Sequence, residues 1–169
     1  MKSKLLIALV IIFVIMQFIP VEKTNPPVIA DLKIELPTDV EAILKRSCFD
    51  CHSNETIWPT YSKIAPFSWL VSYDVNEGRS KFNFSEWKKY SEKDKNHTLE
   101  ELIEEVEEGD MPLPYYTLLH SEAKISSEHI QILKKWLNGL GIKEHNKNEE
   151  NKTPHNHESK YNKHDTDGD

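Results

Sequence analysis

The clearest hydrophobic pattern in the chain predicts a helix that begins at Thr98. Its apolar positions recur at i, i+3, i+4 and i+7, which places them on one helical face. The stripe consists of Leu99, Leu102, Ile103 and Val106. Thr98 and Glu101 have the spacing of a capping box, and Gly109 is suited to end the helix. Glutamates fill the opposite face, which we expect to be solvated.

Two similar patterns flank this helix. The first begins at Thr38, where Thr38 and Glu41 have the spacing of another capping box, and leads directly to Cys48. Its apolar face consists of Val40, Ile43 and Leu44. The last helix is predicted from Ser127 to about Asn138, capped by Ser126 and stopped by two glycines. Its stripe consists of Ile130, Leu133 and Leu137, with Trp136 beside it.

The region between these helices carries a weaker signal. A short helix is predicted from Ser68 to Asn76, and its apolar side chains are Trp69, Leu70 and Tyr73. Prolines before it predict loops. No segment shows the clear alternation of apolar and polar residues that is typical of a β-strand, so the sequence predicts an all-α fold.

The N-terminus reads as an export segment. Lys2 and Lys4 precede an apolar run from Leu5 to Ile15 that continues to Ile19, and a basic stretch before an apolar one is typical of an export signal. Without an A-x-A cleavage site, an uncleaved anchor is favoured over a cleaved peptide. Residues 5–19 would then hold the chain at the periplasmic side of the bacterial inner membrane, or release it if the leader is cut.

These patterns divide the chain into four segments. We predict a signal peptide or signal-anchor at residues 1–21, a proline-containing linker at 22–37, and a folded domain at 38–141. Residues 142–169 are almost devoid of apolar side chains, which predicts a disordered tail. Its histidines are suited at most to weak Cu, Ni or Zn binding, and they are His145, His155, His157 and His164.

Composition narrows the function classes. The formal net charge is −7, and no basic stripe of the kind that binds nucleic acid is present. Two cysteines cannot build a disulfide scaffold. About 110 residues between the two ends are enough for one small core.

The chemistry concentrates in Cys48-Phe49-Asp50-Cys51-His52. C-x-x-C-H is the attachment signature of a c-type haem. Its two thiols are spaced to form thioethers with one porphyrin, and the adjacent His52 is placed to bind the iron as proximal ligand. The motif therefore predicts one covalent haem c.

Two alternatives to haem are a zinc site and a redox-active cysteine pair. Zinc requires about four ligands, and the chain has no further cysteine beyond Cys48 and Cys51. A thioredoxin-like pair requires a βαβ context, which the pattern does not predict. Both alternatives are therefore weaker than haem attachment.

Met111 is the expected distal iron ligand. Met1 starts the chain and Met16 lies in the apolar leader, so Met111 is the only methionine of the predicted domain. It lies in a proline-stiffened loop, and a methionine axial ligand raises the haem potential and suits electron transfer. The alternatives are packing under the loop, an open sixth position, or a histidine ligand from among His97, His120 and His129.

Aromatic and polar side chains around the motif are candidates for the walls of a haem pocket. The possible wall residues are Phe82, Phe84 and Trp87, although each alone is more typical of ordinary core. The possible propionate partners are Trp58, Tyr61, Lys63 and Arg79, although a solvated surface position is more typical of each charge.

Several longer phrases resemble known families. The order of CFDCH, EEGDMPLPYY and a closing helix around ILKKWL resembles a small class I cytochrome c. The phrases CFDCHSNETIWPTYSKIAPFSWLV, VNEGRSKFNFSEW and EEVEEGDMPL more closely resemble the bacterial haem-binding domain family. The resemblance covers about residues 38–138. It implies a periplasmic or membrane-tethered mono-haem protein that uses Cys48, Cys51 and His52, and also Met111.

We therefore expect a haem-binding, one-electron carrier with envelope proteins as redox partners, membrane contact through the N-terminus, no nucleic-acid partner and no enzymatic bond chemistry. One alternative is a haem sensor or ligand-binding module with a labile or open sixth position, and this alternative includes a weak peroxidase. Another is a thiol–disulfide domain that uses Cys48 and Cys51.

Overall fold

The computed structural model describes residues 2–142. Within this range the chain forms seven α-helices and no β-strand, which confirms the predicted all-α class. The helices are α1 (Lys2–Met16), α2 (Thr38–Ser47), α3 (Phe49–His52), α4 (Phe67–Lys81), α5 (Glu92–Glu108), α6 (Pro114–Leu119) and α7 (Ser127–Gly139). Short 3₁₀ turns lie at Ala30–Leu32, Thr60–Lys63, Phe84–Lys89 and Ser121–Ala123.

The core lies between α2, α5 and α7, with the turn at Phe84–Lys89 packed against them. All four predicted apolar residues of α5 are buried, as are the predicted residues of α2. Leu133 and Leu137 bring α7 into the same core. Ile142 is also buried there, one residue into the predicted tail; the remainder of that tail, with its histidines, lies outside the described residues.

The starts of two helices differ from the predicted capping boxes. α5 begins at Glu92, six residues before Thr98, because Ser91 caps it by accepting a hydrogen bond from the Asp94 amide. In α2, Pro37 occupies the N-cap position and no side chain caps the helix. The predicted caps at Thr98 and Thr38 are therefore wrong, while Gly109 ends α5 in the left-handed conformation as predicted.

The fourth helix is longer than predicted and buries a different face. Its buried residues are Ser68, Ser72, Val75 and Gly78. Tyr73 is 65% exposed and Leu70 is 41% exposed, so two of the three predicted apolar residues face outward, while Trp69 is half-buried. Small residues form the buried side because α4 lies very close to the backbone of α3.

The predicted linker at residues 22–37 is hydrogen-bonded to the helical domain. The Ile34 amide donates to the Phe84 carbonyl at 3.0 Å, and Ile34 and Leu36 pack against the core. Arg79 also holds this segment, because its Nη1 donates to the Thr24 carbonyl at 2.8 Å.

The apolar N-terminal run forms α1, which buries none of its residues. α1 has 15 residues. Within residues 2–142, no helix has the combined length and apolar character that crossing a membrane requires.

Candidate functional site

The C-x-x-C-H motif follows directly after α2, as predicted. α2 ends at Ser47, and Cys48 follows as its C-cap, with its amide bonded to the Leu44 carbonyl at 2.8 Å. The motif then turns through α3, where the His52 amide donates to the Cys48 carbonyl at 2.9 Å. One helical turn therefore holds both cysteines and the histidine close together.

Phe49 fixes this turn to the core. It is buried, and its ring stacks on Phe84 with centroids 5.0 Å apart. Cys48, Cys51 and His52 are only half-buried. The apolar residue of the motif therefore points inward, while its three chemical groups keep partial access to the surface.

Both thiols are free, and their surroundings favour the protonated form. Burial raises the pKa of Cys48 to about 12. Burial also raises the pKa of Cys51 to about 12, and the nearby carboxylates of Asp74 and Asp50 add to this increase. Reactive redox cysteines normally have a lowered pKa, so this environment is unfavourable for thiol–disulfide exchange.

His52 has a defined partner for one ring nitrogen. Its Nδ1 lies 3.4 Å from the Phe82 carbonyl oxygen, and its ring stacks on the Phe82 ring with centroids 4.1 Å apart. Burial lowers the pKa of His52, which favours the neutral imidazole. A neutral ring that donates from Nδ1 to a carbonyl leaves the lone pair of Nε2 for a metal.

Gly78 sets the distance between α4 and the motif. A Cβ atom at this position would lie 2.6 Å from the Cys51 carbonyl oxygen and 3.0 Å from Cys51 Cβ. No side chain fits in that space, so glycine is required for this close approach. The backbone of Cys51 is thus supported directly by α4.

Asp50, between the two cysteines, connects three segments. Its Oδ1 accepts from the Ile57 amide at 2.8 Å, and its carbonyl accepts from the Thr56 hydroxyl at 2.7 Å. Its Oδ2 accepts from the Tyr116 hydroxyl at 2.7 Å. Asp50 therefore holds together α3, the loop after it and α6.

A tyrosine–histidine cluster lies beside Asp50. The Tyr61 hydroxyl and His120 Nε2 are 2.8 Å apart, and the His120 ring stacks on Tyr116 with centroids 4.4 Å apart. His120 Nδ1 lies 3.2 Å from Glu122. Burial, followed by the hydrogen bond to Asp50, raises the pKa of Tyr116 and keeps its hydroxyl protonated.

Met111 lies on the loop between α5 and α6. Gly109 turns the chain with φ 81°, and the Met111 amide donates to the Glu105 carbonyl at 3.1 Å. The side chain is half-buried and packs against the core that also includes Phe49. Cys48 and Phe82 pack against the same core.

The three alternative histidine ligands have other partners. Both ring nitrogens of His120 are within hydrogen-bonding distance of Tyr61 or Glu122. His97 is exposed on α5 and lies 3.4 Å from Glu101. In α7, His129 Nδ1 accepts from the Ser126 amide at 3.1 Å and completes a capping box.

Arg79 binds the chain itself rather than standing free for a propionate. Its Nε donates to the Ser53 carbonyl at 2.8 Å, and its Nη2 donates to Thr56 Oγ1 at 2.7 Å and to Asn25 Oδ1 at 2.9 Å. With the bond to Thr24, four of its five N–H groups are used. Trp58 and Tyr61 also have partners within the chain, and Lys63 is exposed.

Sequence reasoning missed the contribution of α6. The sequence pattern predicts no helix after the Met111 loop, but Tyr115 and Tyr116 lie on α6 and donate hydrogen bonds to Asp74 and Asp50. The available signal was Pro114, since proline is favoured in the first turn of a helix. Nothing in the local pattern indicated the close approach at Gly78.

Comparison with protein families identifies the chain. A family model described as a haem-binding domain matches residues 11–139, about three quarters of the 169 residues. The chain belongs to the haem-binding domain family. This confirms the predicted family and haem as its ligand. The match begins within α1 and includes residues 22–37, so the family domain extends further toward the N-terminus than the resemblance indicated. No curated protein and no solved structure matches the chain.

The residues around the motif fit a haem. Two free thiols and a histidine with its Nδ1 on a backbone carbonyl provide the donor types that a covalently attached haem requires. Among residues 2–142, no group of three or more His, Cys, Asp or Glu side chains has an arrangement that holds a metal ion by itself.

Proposed function

We propose that this haem-binding domain carries one haem c, which Cys48 and Cys51 would hold through thioethers and whose iron His52 and Met111 would bind. The observation that carries the proposal is the position of His52. It follows Cys51 directly, its Nδ1 faces the Phe82 carbonyl at 3.4 Å, and its Nε2 is the nitrogen available for iron.

The proposed activity is one-electron transfer, without bond chemistry. A bound haem supplies an iron that changes its oxidation state by one electron. His52 would hold the proximal position, and the Phe82 ring stacked on it would limit its rotation. Met111 would bind the iron as the second protein ligand, and its thioether would raise the potential of the iron, which suits electron transfer. With both positions filled, no site is left for a substrate.

The proposed location is the periplasmic side of the bacterial inner membrane. Lys2 and Lys4 lie in the first turn of α1, ahead of its apolar residues, and α1 buries none of its residues. Basic residues before an apolar segment favour retention of that end in the cytoplasm. Residues 5–19 would then tether the domain, and its redox partners would be other proteins of the envelope.

Haem attachment is tested by expression of the full chain together with a c-type maturation system. The wild type should retain haem after acid–acetone extraction, because thioethers survive it. The double variant Cys48→Ala, Cys51→Ala should retain none. His97→Ala, which changes an exposed histidine on α5, is the matched control and should retain haem. Loss of haem from the wild type on extraction would refute covalent attachment.

The distal ligand is tested on the haem-loaded protein. The oxidised wild type should show the charge-transfer band of methionine-ligated iron, and Met111→Ala should abolish it. His120→Ala should leave the band in place. A band that survives in Met111→Ala would exclude Met111, and rapid CO binding by the untreated reduced wild type would favour a ligand-binding module with a labile sixth position.

A further inference from the structure

The end of α1 is bonded to the domain at one point. Gln17 Oε1 accepts from the Ala65 amide at 2.9 Å, and Gln17 Nε2 donates to the Ala65 carbonyl at 3.3 Å. The same Nε2 lies 2.8 Å from the Phe13 carbonyl within α1. One side chain therefore joins the apolar helix to the residues that lead into α4.

The segment after Gln17 is fastened as well. Lys23 Nζ donates to the Ser62 carbonyl at 2.7 Å, and the Ser72 hydroxyl donates to the Glu22 carbonyl at 2.6 Å. With the bond from Arg79 to Thr24, these contacts hold the segment along α4. These hydrogen bonds therefore fix residues 22–24 to the helical domain close to the end of α1.

Exposed apolar side chains surround this junction. Phe18 is 81% exposed, and Phe67 is 49% exposed beside Ala65. Ile64 adjoins Ala65 in sequence and is 50% exposed, and Leu70, which follows Phe67 at i+3 in α4, is 41% exposed. We call these four residues the junction patch. It adjoins α1 through Phe18, and α1 buries none of its residues.

Two lysines lie beside the junction patch. Lys23 and Lys63 line a crevice of about 200 Å³ next to Gln17 and Ala65. They are basic groups on a chain whose formal net charge is −7. Apolar side chains bordered by lysine are typical of a surface that rests on anionic lipid, because the rings enter the interface and the ammonium groups meet the head groups.

We infer that the junction patch rests on the lipid surface next to the tether and holds the haem-binding domain in one orientation relative to the membrane. This inference rests on the proposed tether. Lipid is the favoured occupant because the hydrogen bonds between Gln17 and Ala65 hold the patch next to the proposed tether, and because Lys23 and Lys63 lie beside it. A molecule that contacts the domain at Cys48 and His52 would then approach it from a fixed direction relative to the membrane.

The test uses the full haem-loaded chain in vesicles of phosphatidylcholine and phosphatidylglycerol. The photoreactive residue p-benzoylphenylalanine replaces Phe67 in one sample. In a matched control it replaces Leu140, which is 55% exposed at the end of α7. Because an interfacial side chain contacts lipid continuously, lipid crosslinking at position 67 should exceed that at position 140 by about tenfold.

The outcomes separate the orientation from the tether. If the chain sediments with vesicles but crosslinks lipid equally at both positions, or if position 67 crosslinks mainly to protein, the orientation is refuted and the tether stands. If the chain does not associate with vesicles, the tether and the orientation are both refuted. Gln17→Ala should keep the vesicle-bound fraction and haem content while reducing the contrast between positions 67 and 140 several-fold; an unchanged contrast would show that Gln17 does not set the orientation.

Discussion

The Tyr116 hydroxyl donates a hydrogen bond of 2.7 Å to Asp50, which lies between the two cysteines of the motif. Tyr116 belongs to α6, the helix that follows the Met111 loop. This bond therefore connects the segment after the proposed distal ligand with the turn that carries the proposed proximal ligand. Asp50 also accepts from the Ile57 amide, so its carboxylate has a fixed position.

Removal of this hydroxyl should destabilise the protein. Hydrogen bonds to charged groups contribute about 1.5–3 kcal/mol, and since Tyr116 is half-buried we expect Tyr116→Phe to lower the free energy of unfolding by about 1–2 kcal/mol. Urea unfolding of the haem-loaded protein measures it. The matched control is Tyr115→Phe, because Tyr115 is more exposed and donates to Asp74 at 2.9 Å. An equal loss in both variants would contradict a special role for the bond to Asp50.

The same variant tests whether α6 positions Met111. With the tie to Asp50 removed, the loop before α6 is less restrained. We expect the methionine charge-transfer band of Tyr116→Phe to disappear at a lower urea concentration than in wild type, before the protein unfolds globally. If the band is lost only together with the far-ultraviolet helical signal, Tyr116 stabilises the fold without positioning the ligand.

Gly78 provides a second test of the site. In Gly78→Ala the new Cβ would lie 2.6 Å from the Cys51 carbonyl oxygen, so either α4 or α3 has to move. Overpacking typically costs about 1–3 kcal/mol, and we expect a loss near the upper end because the obstacle is backbone. Covalent haem yield and the unfolding free energy should both fall.

Gly139→Ala is the matched control for this substitution. Gly139 is the last residue of α7, and a Cβ there would meet nothing within 4 Å. Alanine is the better helix former, so stability should be unchanged or slightly higher and haem yield should be normal. A Gly78→Ala protein as stable as Gly139→Ala would show that the two helices separate at little cost.

Burial is predicted most accurately for a helix that packs one apolar face against the core. Leu99, Leu102 and Val106 are spaced for one helical face and are all buried. On α4 the same reasoning selected Tyr73, which is exposed. On α4 the close approach of the Cys51 backbone favours small residues. A contact of this kind joins distant parts of the chain, so the spacing of nearby hydrophobic residues does not predict it.

The candidate site was predictable to a similar degree. Cys48, Cys51 and His52 are adjacent in sequence, so their proximity follows from one turn of backbone. The partner of His52 is the Phe82 carbonyl, and a backbone carbonyl has no sequence signature. Asp50 and Tyr116 are 66 residues apart, so their contact depends on the tertiary fold alone.

Arg79 should contribute to stability through the segment it fastens. It donates to the carbonyls of Ser53 and Thr24, and lysine cannot reproduce this fork of donors. We expect Arg79→Lys to lower the unfolding free energy by about 2 kcal/mol and to expose residues 22–37 to proteolysis. The control is Lys81→Met, which removes a charge two positions away on a side chain that is 71% exposed. This substitution should change neither the unfolding free energy nor the rate of proteolysis. Equal cleavage in the two variants would mean that Arg79 does not hold the segment.

The two thiols should react slowly in the full chain prepared without haem. Burial raises the pKa of Cys48 and of Cys51 to about 12, and only the thiolate is nucleophilic. At pH 8 the folded chain should therefore react with iodoacetamide on the order of 100-fold more slowly than the same chain in urea. The rate should rise with pH, because a raised thiol pKa moves deprotonation to more alkaline solution. The unfolded chain is the matched reference, and mass spectrometry of quenched samples measures the alkylated fraction. Rapid alkylation of the folded chain at pH 8 would instead indicate an activated thiolate, and would favour a thiol–disulfide domain over a protein whose cysteines serve only to attach haem.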